Sequence, residues 1–284
     1  IDKKQRIFTQ PNKVHAIQYD GKFYKSEGVF QVSPSIQRTP VLFQAGASPR
    51  GLKFATRHAE AMFIGGDNTE KLKKQVDSIR ELARLDGRDD QALKLFAGIT
   101  VVTAETDELA QEKLKEYVKY ASSDAGLAHL SSSVGIDFSQ YADDDVIPYQ
   151  QTNSIVSVND RFKEQKVTLG DLKAQHLLGG RYPLFVGSGA TVAEQLIQLI
   201  DATGLDGFNL TRTVAPESHH DFIRLVIPEL QQRGRYKTEY ESGSLRHKIF
   251  QKGHHLPATH PADQFRCQSS HSSIENKGQT KQTA

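Results

Sequence analysis

Residues 39–51, TPVLFQAGASPRG, place a hydroxyl and a run of small residues between an apolar segment and a helix start. Val41 to Gln44 follows a proline and reads as a short buried strand. Ala45, Gly46 and Ala47 make a tight turn of small residues. Ser48 is a preferred N-cap, and Pro49 suits the first helical position. Where strand, small turn and capped helix follow one another, free N–H groups and the positive end of the helix dipole point into one gap, which suits an anion. Ser48 adds a hydroxyl donor. Two readings stay open on these residues. The turn holds a cofactor phosphate through Gly46, Ala47 and Ser48, or it is an ordinary strand-to-helix loop with a good cap.

Other chemistry-bearing residues are weaker candidates. Gln44 and Asn209 stand at expected strand ends and could touch a substrate or cofactor; a strand-end Asn is as readily tied to backbone. Gly187-Ser188-Gly189 lacks the longer glycine pattern of a phosphate loop. Consecutive carboxylates at Asp143, Asp144 and Asp145 do not converge on one ion as alternating ones do, so they read as a solvated or helix-flanking turn. No metal site is expected, and no catalytic acid or base is assigned.

The elements that must position these residues alternate from Val41 onward. Strands are expected near 41–44, 61–64, 94–102 and 206–211, with helices between them. The helices run from Ser48 to Arg57 or His58, from Asn68 or Thr69 to Gly87, and over residues 105–121. A short helix runs from Thr168 to Leu178, and Thr191 to Glu194 is read as the capping box of another that Gly204 closes. Pro216 opens the last helical stretch. Alternation implies parallel strands joined by right-handed crossovers. Residues 122–165 read as loop-rich. Asp20-Gly21 between apolar-rich segments signals a two-residue hairpin turn near 14–30, which reads either as a lid beside the site or as a surface hairpin with Phe23 and Phe30 buried. Residues 253–284 are rich in Ser, Gln, His, Lys and Thr, and read as a disordered tail.

The whole chain has 284 residues, with Lys+Arg 36 against Asp+Glu 34 and a formal net charge of +2. That balance argues against nucleic acid and against a membrane surface as partners. The single cysteine, Cys267, rules out an internal disulfide. No apolar run approaches a membrane span, and no signal peptide is visible, so a cytoplasmic protein is expected. The chain begins with Ile1, and its only methionine is Met62, which leads to the expectation of a fragment.

Three separated blocks carry a family resemblance. PVLFQAGASPRG followed by AEAMF, then VGSGATVAEQL and DGFNL over residues 186–210, then IPELQQRG and SLR over residues 227–246, occur in that order. They resemble the nitrilotriacetate/EDTA and dibenzothiophene-sulfone monooxygenase branch of the bacterial-luciferase-like flavoenzymes. The resemblance covers about residues 1–250 and only the later part of a family member. It implies an α/β fold in which residues 1–252 supply strands five to eight of a TIM (β/α)8 barrel, a closed form that needs eight strands. It also implies that Ser48, with Ala47 and Gly46, binds the phosphate of FMN. The implied function is the oxygenase component of a two-component monooxygenase. A separate NADH-dependent flavin reductase supplies reduced FMN, and O2 and a small organic molecule are the substrates. A homo-oligomer is also expected. Two alternatives stand beside this: a deazaflavin-dependent oxidoreductase that transfers hydride, and a non-catalytic truncated half barrel. The block IPELQQRG with SLR favours the first reading.

Overall fold

The computed structural model describes residues 1–46, 48–150, 162, 166–178 and 182–265. Its contacts divide the chain into two units, Val41–Gly243 and the pair Ile1–Pro40 with Ser244–Ala284.

In the smaller unit, β1 (Ile17–Asp20) and β2 (Lys25–Gly28) pair antiparallel, Asp20 opposite Lys25. The hairpin expected around Asp20-Gly21 exists, but its loop has four residues rather than two. The Gly21 N–H donates to the Tyr24 carbonyl at 2.9 Å, and Lys25 closes the end on Asp20 at 2.7 Å. The Tyr19 ring folds over Gly21, where a Cβ would stand. Phe23 and Phe30 are 80% and 72% exposed, so neither is the buried residue a plain surface hairpin would have. A short helix, Leu245–Phe250, is capped by Ser244, and the Arg246 guanidinium reaches the carbonyls of Gln37, Pro40 and His254. Residues 253–265 bury Leu256 and His260 and end in a 3-10 turn, Pro261–Phe265. Residues 266–284, the greater part of the expected tail, lie outside the described residues.

The larger unit runs β3 (Phe43–Ala45), α1 (Pro49–His58), β4 (Ala61–Ile64), α2 (Thr69–Leu85), β5 (Lys94–Ala104) and α3 (Asp107–Tyr120). It continues with α4 (Ser123–Val134), α5 (Leu169–His176), β6 (Leu184–Ser188), α6 (Gly189–Thr203) and β7 (Gly207–Thr211). It ends with α7 (Glu217–Asp221), a π turn (Phe222–Val226) and α8 (Ile227–Gln232). All five strands are parallel. Phe96 pairs with both Phe63 and Gly207, and Thr100 with both Leu184 and Thr211. A residue has one partner on each side, so β4 and β6 share one edge of β5 end to end, and β7 takes the other. The order β3-β4-β5-β7 therefore keeps sequence order, as successive βα units do. Among the described residues β3 pairs only with β4 and β7 only with β5.

Alternation along the strands divides the sheet into two faces. Met62, Ile64, Leu95 and Ala97 pack against Leu72, Val76 and Ile79 of α2 and Leu199 of α6. Ile99 and Val101 continue that layer against Val192, Leu196 and Val226. On the other face, Phe43, Phe63 and Phe96 form an aromatic row. Phe43 and Phe63 stack at 5.2 Å between centroids, and Phe96 lies 6.1 and 6.3 Å from them. Phe43 and Phe63 remain 41% and 39% exposed, so this face is open. A buried charge cluster ties β7 to the helices. Asp206 accepts from Arg80 at 2.7 Å, from Lys94 at 2.8 Å and from the Leu95 N–H at 2.9 Å.

Several expectations need correction. Residues 122–165 are not uniformly loop: α4 is a helix of 12 residues, capped by Ser122 and stopped by Gly135 at φ +72. Gly126 and three consecutive serines obscured it. Gly126 is required because a Cβ would stand 2.5 Å from the His176 carbonyl oxygen. The acidic run flanks α5: Asp143 pairs with Lys173 at 2.6 Å, and the Asp145 carbonyl accepts the Leu169 N–H. The helix expected to start at a Thr191–Glu194 box starts instead at Gly189. Ser188 is its cap, accepting from the Thr191 N–H, while Glu194 pairs with Arg233 at 2.6 Å. Leu184 to Ser188, expected only as a lead-in, is a fifth strand. Among the described residues no helix is long and apolar enough to cross a membrane, and no cluster of metal-ligating side chains occurs.

Candidate functional site

The turn after β3 lies at the carboxyl end of the parallel sheet, the rim at which such folds place ligands. Ser48 caps α1 in extended conformation (φ −65, ψ 151), and its Oγ accepts the Gly51 N–H at 3.1 Å. Because that bond uses an acceptor lone pair, the hydroxyl proton stays free to donate. The Ser48 carbonyl accepts the Leu52 N–H at 2.8 Å. Pro49 has no N–H, so the remaining first-turn donor belongs to Arg50. Ser48 is half-buried, while Gly46 and Arg50 are exposed.

Two glycines make this geometry possible. Gly46 has φ +139, a conformation that side-chain-bearing residues rarely take. A Cβ on Gly51 would stand 3.1 Å from both the Gly46 carbonyl and Ser48 Oγ. The turn is thus a tight cradle of main chain around one hydroxyl. Gly51 was not singled out from the sequence, although Gly in the first turn of a helix, where it costs stability, was a visible signal.

Of the other sequence candidates, Ala47 lies outside the described residues. Gln44 is in register with Met62 and so belongs to the helix-packed face, but its amide reaches back to within 3.7 Å of where a Gly46 Cβ would be. It therefore joins the turn from behind and does not face the open side. Asn209 is not at a strand end. It is the third of five residues in β7, exposed and in register with Gly98. The reason is that β7 runs on to Thr211 alongside the long β5. Register puts Asn209 on the open face with Phe63 and Phe96, and the Tyr182 ring lies directly on Gly98 beside it. The structure brings Gln44, Gly46 and Ser48 together and leaves Asn209 apart on the sheet face. Tyr182 was missed from sequence, since its position depends on β6 running parallel along β5.

The glycine-serine-glycine stretch is explained by packing. Asp107 Oδ1 accepts the Ser188 N–H at 2.7 Å, and Oδ2 accepts the Thr191 hydroxyl at 3.1 Å. The Ser188 N–H, with the two hydroxyls, holds the Asp107 carboxyl below its usual range. A Cβ on Gly189 would stand 2.2 Å from the Leu225 carbonyl oxygen in the π turn. That π turn sits just before Pro228, which can supply no N–H to a regular helix. Nearby, Lys113 bonds Asp221 at 2.5 Å and Glu217 at 3.3 Å, and Arg224 bonds Asp221 at 3.1 Å and Glu105 at 2.9 Å. Burial opposes ionisation of Asp221, but Lys113 and Arg224 hold its carboxyl below the usual range.

Comparison with known proteins matches this geometry to one family. Residues 5–207 match the luciferase-like monooxygenase family. The chain is 40% identical over 266 residues to a long-chain alkane monooxygenase of Geobacillus thermodenitrificans, covering 93% of this chain and 57% of that protein. It is 40% identical over 270 residues to the dimethyl-sulfide monooxygenase of Hyphomicrobium sulfonivorans, covering 93% of this chain and 56% of that protein. The crystal structure of the Hyphomicrobium protein DmoA superposes with a TM-score of 0.81 at 38% identity, covering 99% of this chain and 60% of that one. A riboflavin lyase solved with modified FMN and riboflavin superposes with a TM-score of 0.83 at 35% identity, covering 93% of this chain and 59% of that one. The chain spans somewhat over half the length of the relatives it matches. With its parallel sheet flanked by helices and its capped turn at the carboxyl rim, this chain belongs to the luciferase-like monooxygenase family.

Proposed function

We propose that the complete protein is the oxygenase component of a two-component monooxygenase that uses reduced FMN and O2 on a small organic substrate. The observation that carries this is the Ser48 turn: a half-buried hydroxyl with its proton free, at the start of a helix and at the sheet's carboxyl rim. The family's enzymes support the reaction class, and a nitrilotriacetate monooxygenase component A from Aminobacter aminovorans, 30% identical over 253 residues, supports the division into two components. The lyase with modified FMN supports the cofactor.

The residues present fit an FMN phosphate. Gly46 and Gly51 keep the main chain bare where a dianion must approach, and a Cβ at Gly51 would crowd the Ser48 hydroxyl. Ser48 would donate its proton to a phosphate oxygen, oriented by the bond it accepts from Gly51. The Arg50 N–H and the α1 dipole would add to the attraction. Ala47 belongs to the same turn in this proposal. Gln44 braces the turn from behind. The bound reduced flavin supplies the electrons with which O2 is activated. Phe43, Phe63 and Phe96 offer an apolar surface on the side of the sheet where chemistry would occur. Asn209 is positioned on that same face to hydrogen-bond a ligand. A separate NADH-dependent flavin reductase would deliver the reduced FMN.

The test separates phosphate recognition from ring recognition. In the complete protein, Ser48→Ala should weaken FMN binding by about 1–3 kcal/mol, the scale of a hydrogen bond to a charged group. Riboflavin, which lacks the phosphate, should bind wild type and variant alike. Equal FMN affinities would remove Ser48 from the site. Oxygen uptake with a flavin reductase, substrate-dependent and lost with a deazaflavin, distinguishes oxygenation from hydride transfer.

A further inference from the structure

A cleft of about 410 Å³ opens where the last turn of α3, the residues after α5 and the chain leaving β7 meet. That volume falls within the range of small-molecule sites. Tyr117 and Thr213 line it, but their hydroxyls are buried away from the opening, and that of Tyr117 turns to Glu217. Arg212 also lines the cleft, exposed and in no ion pair among the described residues. The remaining wall is apolar, chiefly Leu177, Leu178 and Val214. The carboxylates closest in sequence, Glu217 and Asp221, are already engaged by Lys113, and Asp221 by Arg224 as well, so they do not cancel Arg212. Burial pushes the Tyr117 phenol up, and Glu217, to which its hydroxyl turns, adds to this.

We propose that this cleft binds an amphipathic organic acid. Its carboxylate or sulfonate pairs with Arg212, and its apolar body lies against Leu177, Leu178 and Val214. The cleft stands at the carboxyl end of β7, and the Ser48 turn at that of β3. Three strand spacings, roughly 14 Å, separate these strands in the sheet. One phosphate cannot occupy both sites, and a ligand in the cleft leaves the turn free. Identifying the acid as the molecule to be oxygenated rests on the proposed function; its binding does not.

Calorimetric titration of the 284-residue chain with octanoate and with octan-1-ol tests this. Octanoate should bind, and octan-1-ol about tenfold more weakly or worse. Arg212→Gln should abolish that preference, Arg212→Lys should keep most of it, and Leu178→Asp should weaken both ligands. Arg212 is exposed, so its variants leave the fold intact. Absence of octanoate binding, or an Arg212→Gln titration equal to wild type, overturns the proposal. Ser48→Ala should leave the octanoate titration unchanged. The flavin site can therefore fail its own test while this one succeeds, and the reverse.

Discussion

Replacing Asp206 by Ala would remove the carboxylate on which β7 is hung. Its oxygens take the Arg80 guanidinium, the Lys94 ammonium and the Leu95 N–H, and the Arg80 and Asp206 side chains are only 9% and 15% exposed. Breaking a buried pair by deleting one partner costs about 3–5 kcal/mol, because the other charge stays buried without compensation. Lys94 is 24% exposed and can turn to water, and Arg80 keeps its bond to the Leu93 carbonyl at 2.5 Å. The expected loss is therefore near the lower end, about 3 kcal/mol, or a fall in Tm of roughly 6–12 °C for a unit of this size. Asp206→Asn, which keeps an acceptor for Leu95, should fall between wild type and the alanine variant. The assay is urea unfolding followed by far-UV circular dichroism, with Arg80→Met and the double variant closing the cycle. The double variant should lose less than the sum of the two single losses. A loss below about 1 kcal/mol for Asp206→Ala would refute the claim that this cluster holds β7 to α2 and β5.

Gly189→Ala places a methyl 2.2 Å from the Leu225 carbonyl oxygen, main chain that cannot swing aside, so a loss of about 3 kcal/mol is expected in the same unfolding assay. The ion pair of Lys113 with Asp221 sets two pH limits. The lowered Asp221 pKa contributes stability that is present above the unfolded value and lost as pH falls through the folded one, on the acid side of roughly pH 4. The raised Lys113 pKa, where Asp221 and Glu217 outweigh burial, contributes stability present below the ordinary lysine value and lost as pH climbs through the folded one. The stability difference between wild type and Asp221→Asn should accordingly be flat near neutrality and narrow in acid; a difference that widens in acid would contradict the assignment. FMN titration of the 284-residue chain alone should give a Kd weaker than about 1 μM, since its aromatic face is uncovered; tighter binding would show that this face is not needed.

The parallel layering was readable because each strand is an apolar run of the right length closed by small or capping residues. β4 at Ala61–Ile64 and β5 at Lys94–Ala104 stand within two residues of the expected limits. The Ser48 cap was readable for the same local reason: Ser then Pro has few other uses. What escaped was set by contacts distant in sequence. β6 is a strand because β5 outruns β4 and leaves Thr100 to Ala104 unpaired on that side; the apolar run Leu184-Phe185-Val186 was too short a signal to place it alone. The true cap of α6 is Ser188 rather than Thr191 because Asp107, 81 residues earlier, fixes the Ser188 N–H. α4 was hidden by Gly126, whose reason is the His176 carbonyl far along the chain.

The overhang of β5 has a consequence for how such a chain can vary. β4 occupies one stretch of its edge and β6 another, with Gly98 and Ile99 between them. The chain leaves this ledge after Ala104 and rejoins it at Leu184, both away from the stretch of β5 that pairs with β4. Segments there can lengthen, shorten or exchange sequence while the Ser48 turn keeps its foundations. In the proposed function, a scaffold built this way would separate the part that grips the cofactor from the part free to diverge with each new compound.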